Sequence, residues 1–200
     1  VYIRFLGVEA YGLVGFFITL SAVMGVFDLG IGATMNRELA IRSANPDHHS
    51  SQRDLVRTFE IIYWVIAIVV GILVVLCASS ITNSWVQAED LDNETIVTAV
   101  QLMGLAITFR FPMSLYQGGL MGLQKQVLVN KILIIYGTVR HFGAVAVLLI
   151  ISKTLYVFFA WQVFMSVLAS FTFLFALWSK LPECNTKARF RVGILSETWR

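Results

Sequence analysis

Five apolar runs, each long enough to cross a membrane as a helix, divide this chain. A spanning helix needs about 20 predominantly apolar residues. Backbone groups in hydrocarbon must bond to one another, and the chain lacks the alternating segments of about ten residues that are typical of a membrane barrel. We therefore predict an all-α, polytopic membrane helix bundle with spans at residues 11–35, 59–80, 96–121, 132–151 and 155–178.

Composition supports lipid rather than water as the main solvent. Hydrophobic residues make up 58% of the chain and charged residues 14%, whereas about 25% charged residues is usual in soluble domains. The net charge of +3 does not indicate nucleic acid as a partner, because the basic residues lie between apolar runs and not along one face. Membrane lipids are the expected surroundings.

The distribution of charge predicts the orientation, because cytoplasmic connections carry an excess of Lys and Arg. Eleven of the fifteen basic residues follow the first, third or fifth run: Arg37, Arg42, Arg53, Arg57, Lys125, Lys131, Lys180, Lys187, Arg189, Arg191 and Arg200. The second connection carries Glu89, Asp90, Asp92 and Glu94 with no basic residue, and the fourth carries only Lys153. We predict that the first set faces the cytoplasm and that the other two connections face outside.

The two ends of the sequence resemble the edges of further spans. Residues 1–3 look like the last turn of an earlier helix, and residues 181–200 form a basic, amphipathic segment of the kind that leads into another helix. We therefore expect that residues 1–200 are part of a longer transporter.

Four ionisable residues lie inside the apolar runs: Asp28, Arg110, Arg140 and His141. An Arg or Asp at the centre of a spanning helix costs about 2.5 to 3.5 kcal/mol on insertion scales. Such residues usually face a water-filled cavity or a partner, and they mark pathways for substrates and ions. They are the candidate functional residues of this chain.

The third and fourth runs predict a binding site for an anion. Arg110 precedes Pro112, which should interrupt the helix, and Ser114 and Gln117 follow at helical spacing on the same face. In the fourth run Tyr136 lies one turn before Arg140. Two guanidinium groups on different helices match the geometry of phosphate. We predict substrate-binding roles for Arg110, Ser114, Gln117, Tyr136 and Arg140.

Structural roles are the alternative for each of these residues. Either arginine could form an ion pair with Asp28 or Glu60 and fix the bundle. Asp28 could carry a coupling ion, as could His141, although a structural role for Asp28 is favoured. Gln162, Ser166 and Ser170 form a polar stripe that either joins helices or lines the same cavity, and Gly25, Gly32 and Gly104 favour close helix packing.

No motif in the sequence indicates a metal, a cofactor or a catalytic centre. Cys77 lies in the second apolar run and Cys184 in the segment after the fifth, and the pair His48 and His49 lies in a polar loop without further ligands nearby. Phosphate-binding glycine loops and nucleophile elbows are not found. We expect a transporter and not an enzyme.

Three segments resemble polysaccharide-export flippases. They are residues 4–15, RFLGVEAYGLVG; residues 27–40, FDLGIGATMNRELA; and residues 110–126, RFPMSLYQGGLMGLQKQ, with Asn130 beyond them. These patterns are similar to those of O-antigen flippases of the Wzx type, within the multidrug/oligosaccharidyl-lipid/polysaccharide exporter superfamily. The resemblance covers residues 4–145.

The resemblance implies a transporter of about 12 to 14 helices, built as two lobes around a central cavity and working by alternating access. The resemblance also implies that the protein lies in a bacterial inner membrane and that its substrate is an oligosaccharide linked to undecaprenyl diphosphate. The chain would form most of the first lobe, and the second lobe would be its partner. Arg110 and Arg140 would then hold the diphosphate or an acidic sugar.

Two other function classes stay open. A drug/cation antiporter of the same superfamily would share the fold but would favour carboxylates over arginines in the membrane. A membrane-embedded glycan polymerase or transferase would need a catalytic acid/base cluster, and none is visible in the sequence.

Overall fold

The computed structural model describes residues 2–26, 28, 30–44, 49–85, 91–183, 188–191 and 193–194. The described part of the chain contains helices and no strands. Its helices are α1 Tyr2–Leu6, α2 Val8–Val26, α3 Ile31–Ser43, α4 His49–Leu76, α5 Ala78–Trp85, α6 Asn93–Arg110, α7 Met113–Gly122, α8 Gln126–Ile150 and α9 Leu155–Trp178. Several residues named above lie outside the described part: Phe27, His48, Glu89, Asp90, Cys184, Lys187 and Arg200.

Five helical segments are long and apolar enough to cross a membrane, as the sequence predicts. They are Val8–Val26, Ser51–Leu76, Asn93–Gly122, Gln126–Ile150 and Leu155–Trp178. Much of their apolar surface is exposed: α4 presents Val65, Ile68, Val69, Ile72 and Leu76 along one stripe. In water that stripe would be costly, whereas lipid covers it. The chain is a helical membrane protein.

The predicted first span is wrong at its C-terminal end, because the structure divides residues 11–35 into two helices. Helix α2 ends at Val26 and α3 begins at Ile31. Gly30 between them has φ 74°, a left-handed conformation that an α-helix cannot continue. The Asp28 carbonyl accepts a hydrogen bond from the Ile31 N–H at 2.8 Å, so the break is a tight turn.

The predicted interruption at Pro112 is confirmed. Regular helix ends at Arg110 and resumes at Met113, because Pro112 has no N–H to donate to the preceding turn. The second predicted span is too short: α4 begins at His49 and not near residue 59. Its 28 residues extend about 42 Å, so its first turns pass beyond a hydrocarbon core of about 30 Å.

Buried side chains form two clusters at opposite ends of the bundle. One cluster joins α2, α6 and the ends of α8 and α9 around their connection. The other joins α3, α7 and the opposite ends of α4, α8 and α9. Helix α8 contributes Val129 and Ile132 to one cluster and Ala144 and Leu148 to the other, while none of its residues 133–143 is buried. The middle of α8 is therefore packed less closely against the other described helices than its two ends are.

Glycines bring α3 and α7 into backbone contact. A Cβ atom at Gly118 would collide with the Gly32 carbonyl oxygen, and one at Gly122 would lie 2.5 Å from the Asn36 carbonyl oxygen. The spacing of Gly118 and Gly122 is the small-xxx-small pattern of membrane helix contacts. Gly32 is confirmed as a close-packing glycine.

The other two glycines named from the sequence differ in outcome. A Cβ at Gly104 would lie 2.8 Å from Val74 Cγ1, which confirms close packing between α6 and α4. A Cβ at Gly25 would meet nothing within 4 Å. The packing role expected for Gly25 is therefore wrong.

The segment after α9 returns to the start of α4. Arg191 Nε lies 2.8 Å from Asp54 Oδ2, and the Arg189 N–H donates to Asp54 Oδ1 at 2.8 Å. Arg53 donates to the Pro182 carbonyl at 3.2 Å, and Ile194 is buried. The first connection and the segment after α9 thus meet at one end of the bundle.

Glycine packing predicts a specific stability difference. Gly118→Ala should destabilise the protein by about 1 to 3 kcal/mol, because the added methyl must displace the backbone of α3. Gly12→Ala is the matched control, since a Cβ at Gly12 meets nothing within 4 Å. Thermal unfolding of the purified variants in detergent measures both. Equal melting temperatures for the two variants would contradict the α3–α7 contact.

Charge distribution predicts the membrane orientation. In a protein whose Cys77 and Cys184 are replaced, single cysteines at Lys153 and Glu94 should react with an impermeant maleimide in intact cells. A single cysteine at Lys180 should react only after lysis, because an excess of Lys and Arg predicts that its connection faces the cytoplasm. The opposite labelling pattern would overturn the orientation.

Candidate functional site

A cavity of about 610 Å³ lies between α2, the junction of α6 with α7, and α8. Its volume is within the range of ligand pockets, about 300 to 1,000 Å³. Most of the wall is apolar, and six polar side chains line it: Ser21, Asp28, Arg110, Ser114, Arg140 and His141. All four ionisable residues that the sequence places inside apolar runs therefore meet at this one cavity.

Asp28 is held by three donors from three helices. Its Oδ1 atom accepts hydrogen bonds from the Tyr63 hydroxyl of α4 and, at 2.8 Å, from the Ser114 hydroxyl of α7. Its Oδ2 atom lies 3.4 Å from the Gly32 N–H at the start of α3. The turn between α2 and α3 places the carboxylate at this junction. Asp28 thus joins α3, α4 and α7 while one side of it faces the cavity.

Arg110 lies at the last turn of α6, immediately before the interruption at Phe111 and Pro112. Its side chain lines the cavity. It forms no hydrogen bond or ion pair with any residue that the structure describes. A guanidinium carries five N–H donors, so Arg110 has donors available to a ligand in the cavity.

Arg140 is oriented by two residues of α9. Its Nε atom donates to Gln162 Oε1 at 2.5 Å, and its backbone carbonyl accepts from Trp161 Nε1 at 3.0 Å. Gly143 permits this contact, because a Cβ there would collide with the Trp161 ring. Gln162 is 3% exposed, so its amide is fixed by packing and holds the guanidinium of Arg140 in place.

A smaller cavity of about 210 Å³ lies between α7, α8 and α9. Arg110 and Arg140 line this cavity as well as the larger one. Tyr136 lines it too, and its hydroxyl lies 2.5 Å from Thr172 Oγ1 of α9. The two arginines therefore stand where the cavities adjoin.

Neither arginine forms an ion pair with Asp28 or Glu60 in the described part of the chain. Glu60 is buried and pairs with Arg57 at 2.8 Å. Its other oxygen accepts from the Tyr116 hydroxyl at 3.0 Å and from Trp178 Nε1 at 3.2 Å. This network fixes α4 to α7 and α9, so the structural alternative that pairs Glu60 with either arginine is wrong.

The structure places some of the predicted site residues at the two cavities and others away from them. Gln117 lines neither cavity, because the interruption at Pro112 ends the helical face that Arg110 begins. The polar stripe of α9 also divides: Gln162 holds Arg140, Ser166 lines the smaller cavity, and Ser170 is buried with no partner for its hydroxyl among the described residues.

Sequence reasoning missed Tyr63 and Ser21. Tyr63 is fully buried and bonds Asp28. A signal was available in the sequence, since Tyr63 lies one turn after Glu60 and both polar groups interrupt the first half of an apolar run. Ser21 is an ordinary residue of a spanning helix, and nothing in its sequence surroundings distinguishes it.

Among the residues that the structure describes, no group of three or more His, Cys, Asp or Glu side chains could hold a metal ion. The polar groups of the cavity suit organic anions or small cations instead. Two arginines favour the former.

Comparisons of the chain with protein-family models, curated proteins and solved structures give no significant match. The flippase resemblance therefore rests on the sequence motifs, and the geometry of the cavities is the independent observation.

The three hydrogen bonds to Asp28 predict which substitutions the protein tolerates. Asp28→Asn keeps an oxygen for the two hydroxyl donors, so membrane abundance should stay near normal. Asp28→Ala should lower abundance, because it leaves the buried Tyr63 hydroxyl unsatisfied at a cost of about 1 to 3 kcal/mol. Quantitative blotting of membrane fractions measures abundance. Low abundance of the Asp28→Asn protein, equal to that of Asp28→Ala, would contradict this account of the three hydrogen bonds.

Proposed function

We propose that this chain is part of a flippase that carries an anionic, lipid-linked oligosaccharide across a bacterial inner membrane for surface polysaccharide synthesis. The observation that carries the proposal is the pair Arg110 and Arg140, which line one cavity at the middle of the spanning helices. The sequence resemblance to O-antigen flippases supports the same function.

The chemistry of the arginines favours a phosphate or an acidic sugar as ligand. Guanidinium groups stay charged and present planar pairs of donors that match phosphate oxygens. In surroundings of low dielectric, attraction between such charges is far stronger than in water. A bound diphosphate would satisfy the donors of Arg110 and neutralise a charge that is otherwise costly at this depth.

Transport requires that the site open to each side of the membrane in turn. Rocking of one helical lobe against another would achieve this around a fixed site. The larger cavity lies between α2 and α8, and we propose that a second lobe faces this side of the bundle. The resemblance supplies that partner.

A drug/cation antiporter is the second candidate, because Asp28 lines the same cavity as the arginines. Its oxygens already accept from Tyr63, Ser114 and Gly32, which lowers their capacity to bind a cation. Two nearby guanidinium groups also repel cationic drugs. The flippase is therefore the better-supported function.

Substitution of the arginines tests the proposal. Arg110→Gln should abolish restoration of surface polysaccharide in a flippase-deficient strain while membrane abundance stays near normal, because Arg110 forms no hydrogen bond or ion pair with the residues that the structure describes. Arg140→Gln should also abolish restoration, and its membrane abundance is measured beside export because the change removes the donor to Gln162. Lys at position 110 should restore export partly. Lys at position 140 should restore less, since it lacks the Nε atom that donates to Gln162.

The control is Arg37→Gln, because Arg37 is exposed at the end of the bundle and pairs only with Glu38 among the described residues. It should leave both export and abundance unchanged. Normal export by either glutamine variant at 110 or 140 would remove that residue from the proposed substrate site.

A further inference from the structure

The two cavities have walls of different chemistry on either side of the arginines. The larger cavity has Ser21, Asp28, Ser114 and His141 in its wall. The smaller cavity is lined, apart from the arginines, mainly by the hydrocarbon and thioether surfaces of Met113, Leu133, Met165 and Ala169, with Gly137. An asymmetry of this kind suits an amphipathic ligand whose charged group lies between its polar and apolar parts.

The polar groups of the smaller cavity are already satisfied by the protein. The Ser166 hydroxyl donates to the Gln162 carbonyl of its own helix at 2.8 Å. The Tyr136 hydroxyl contacts Thr172 Oγ1 at 2.5 Å. Besides Arg110, a polar ligand part would therefore find few free partners in the smaller cavity, whereas a hydrocarbon chain needs none.

Space for such a chain comes from the shape of the bundle. Helix α8 contacts α9 at Gly143 and Trp161 on one side of the cavity and through Tyr136 and Thr172 on the other. Between these contacts, residues 137–142 include no buried residue. Methionine side chains bend to fit irregular apolar groups, and Met113 and Met165 supply two of them.

We propose that the smaller cavity binds the hydrocarbon segment directly attached to the phosphate of the transported lipid, while the larger cavity holds the polar head. The inference rests on the proposed function, because it needs an anion at Arg110 and Arg140. It adds an orientation: the ligand lies across the arginines with its lipid end between α8 and α9. Ala169 and Leu133 are then specificity-determining residues for the lipid and not for the anion.

The test compares two probes that share a charged group. Inorganic diphosphate and farnesyl diphosphate are titrated by calorimetry into the purified protein in detergent. The wild-type protein should bind farnesyl diphosphate at least about tenfold more tightly, as burial of about two methylene groups would give. Ala169→Leu fills the smaller cavity, so it should remove this preference and leave the affinity for inorganic diphosphate unchanged.

Two further variants keep the test decisive. Leu133→Phe adds bulk to the wall at a position that is 40% exposed, where the larger ring needs less rearrangement of the core than Ala169→Leu does, and it should also reduce the preference. Leu168→Phe adds bulk to the outer face of α9, where Leu168 is 43% exposed, and it should change nothing.

The outcomes separate the two proposals. A wild-type protein without preference for farnesyl diphosphate overturns the inference. So does a preference that survives both cavity variants, because the hydrocarbon then binds elsewhere on the protein or in the micelle. If neither probe binds, or if Arg110→Gln leaves the affinity for both unchanged, the anion site itself fails and the proposed function fails with it.

Discussion

The cost of placing charge in hydrocarbon determines the arrangement of this bundle. Asp28 is joined to three donors, and Glu60 to Arg57, Tyr116 and Trp178. Each of these carboxylates therefore connects several helices that would otherwise share only apolar contacts, which lipid would make almost as well. Arg110 differs, because its stability at this depth depends on access to the cavity. It forms no hydrogen bond or ion pair with another helix in the described part of the chain, and the proposed ligand would supply these partners.

The two helix breaks lie against each other, and this contact forms one side of the cavity. The turn between α2 and α3 meets the junction of α6 and α7, where Ser114 donates to Asp28 and the backbone of α7 contacts that of α3. Irregular backbone within a membrane is tolerated where it is buried in protein or lines a cavity. Gly30 and Pro112 produce the breaks, and Asp28 and Arg110 adjoin them. The same residues thus interrupt the helices and supply the polar wall.

Hydrophobic length was sufficient to predict the five spans, and the last of them has the bounds that the sequence indicated, residues 155–178. The break at Pro112 was predictable because a missing donor is a local property. The break near Gly30 was not, since glycine is also common inside membrane helices, and its φ depends on tertiary contacts. The sequence placed Arg110 and Arg140 near the middle of their apolar runs, but this depth alone did not show that they line the same cavity. The pairing of Gln162 with Arg140 required the packing of α8 on α9, which no single segment encodes.

The buried apolar side chains form two clusters, and the two cavities lie in the region between them. Buried apolar side chains concentrate at its two ends, and α8 is fixed at each end by two buried residues. A core packed evenly through the middle would leave no space beside the arginines, and their charges would then require carboxylate partners. Those partners would neutralise the positive potential that attracts an anion. The cavity and Arg110, which has no carboxylate partner among the described residues, are therefore mutually dependent. A side chain that filled the cavity would leave no room for a ligand, and a carboxylate paired with Arg110 would remove the positive potential that attracts one.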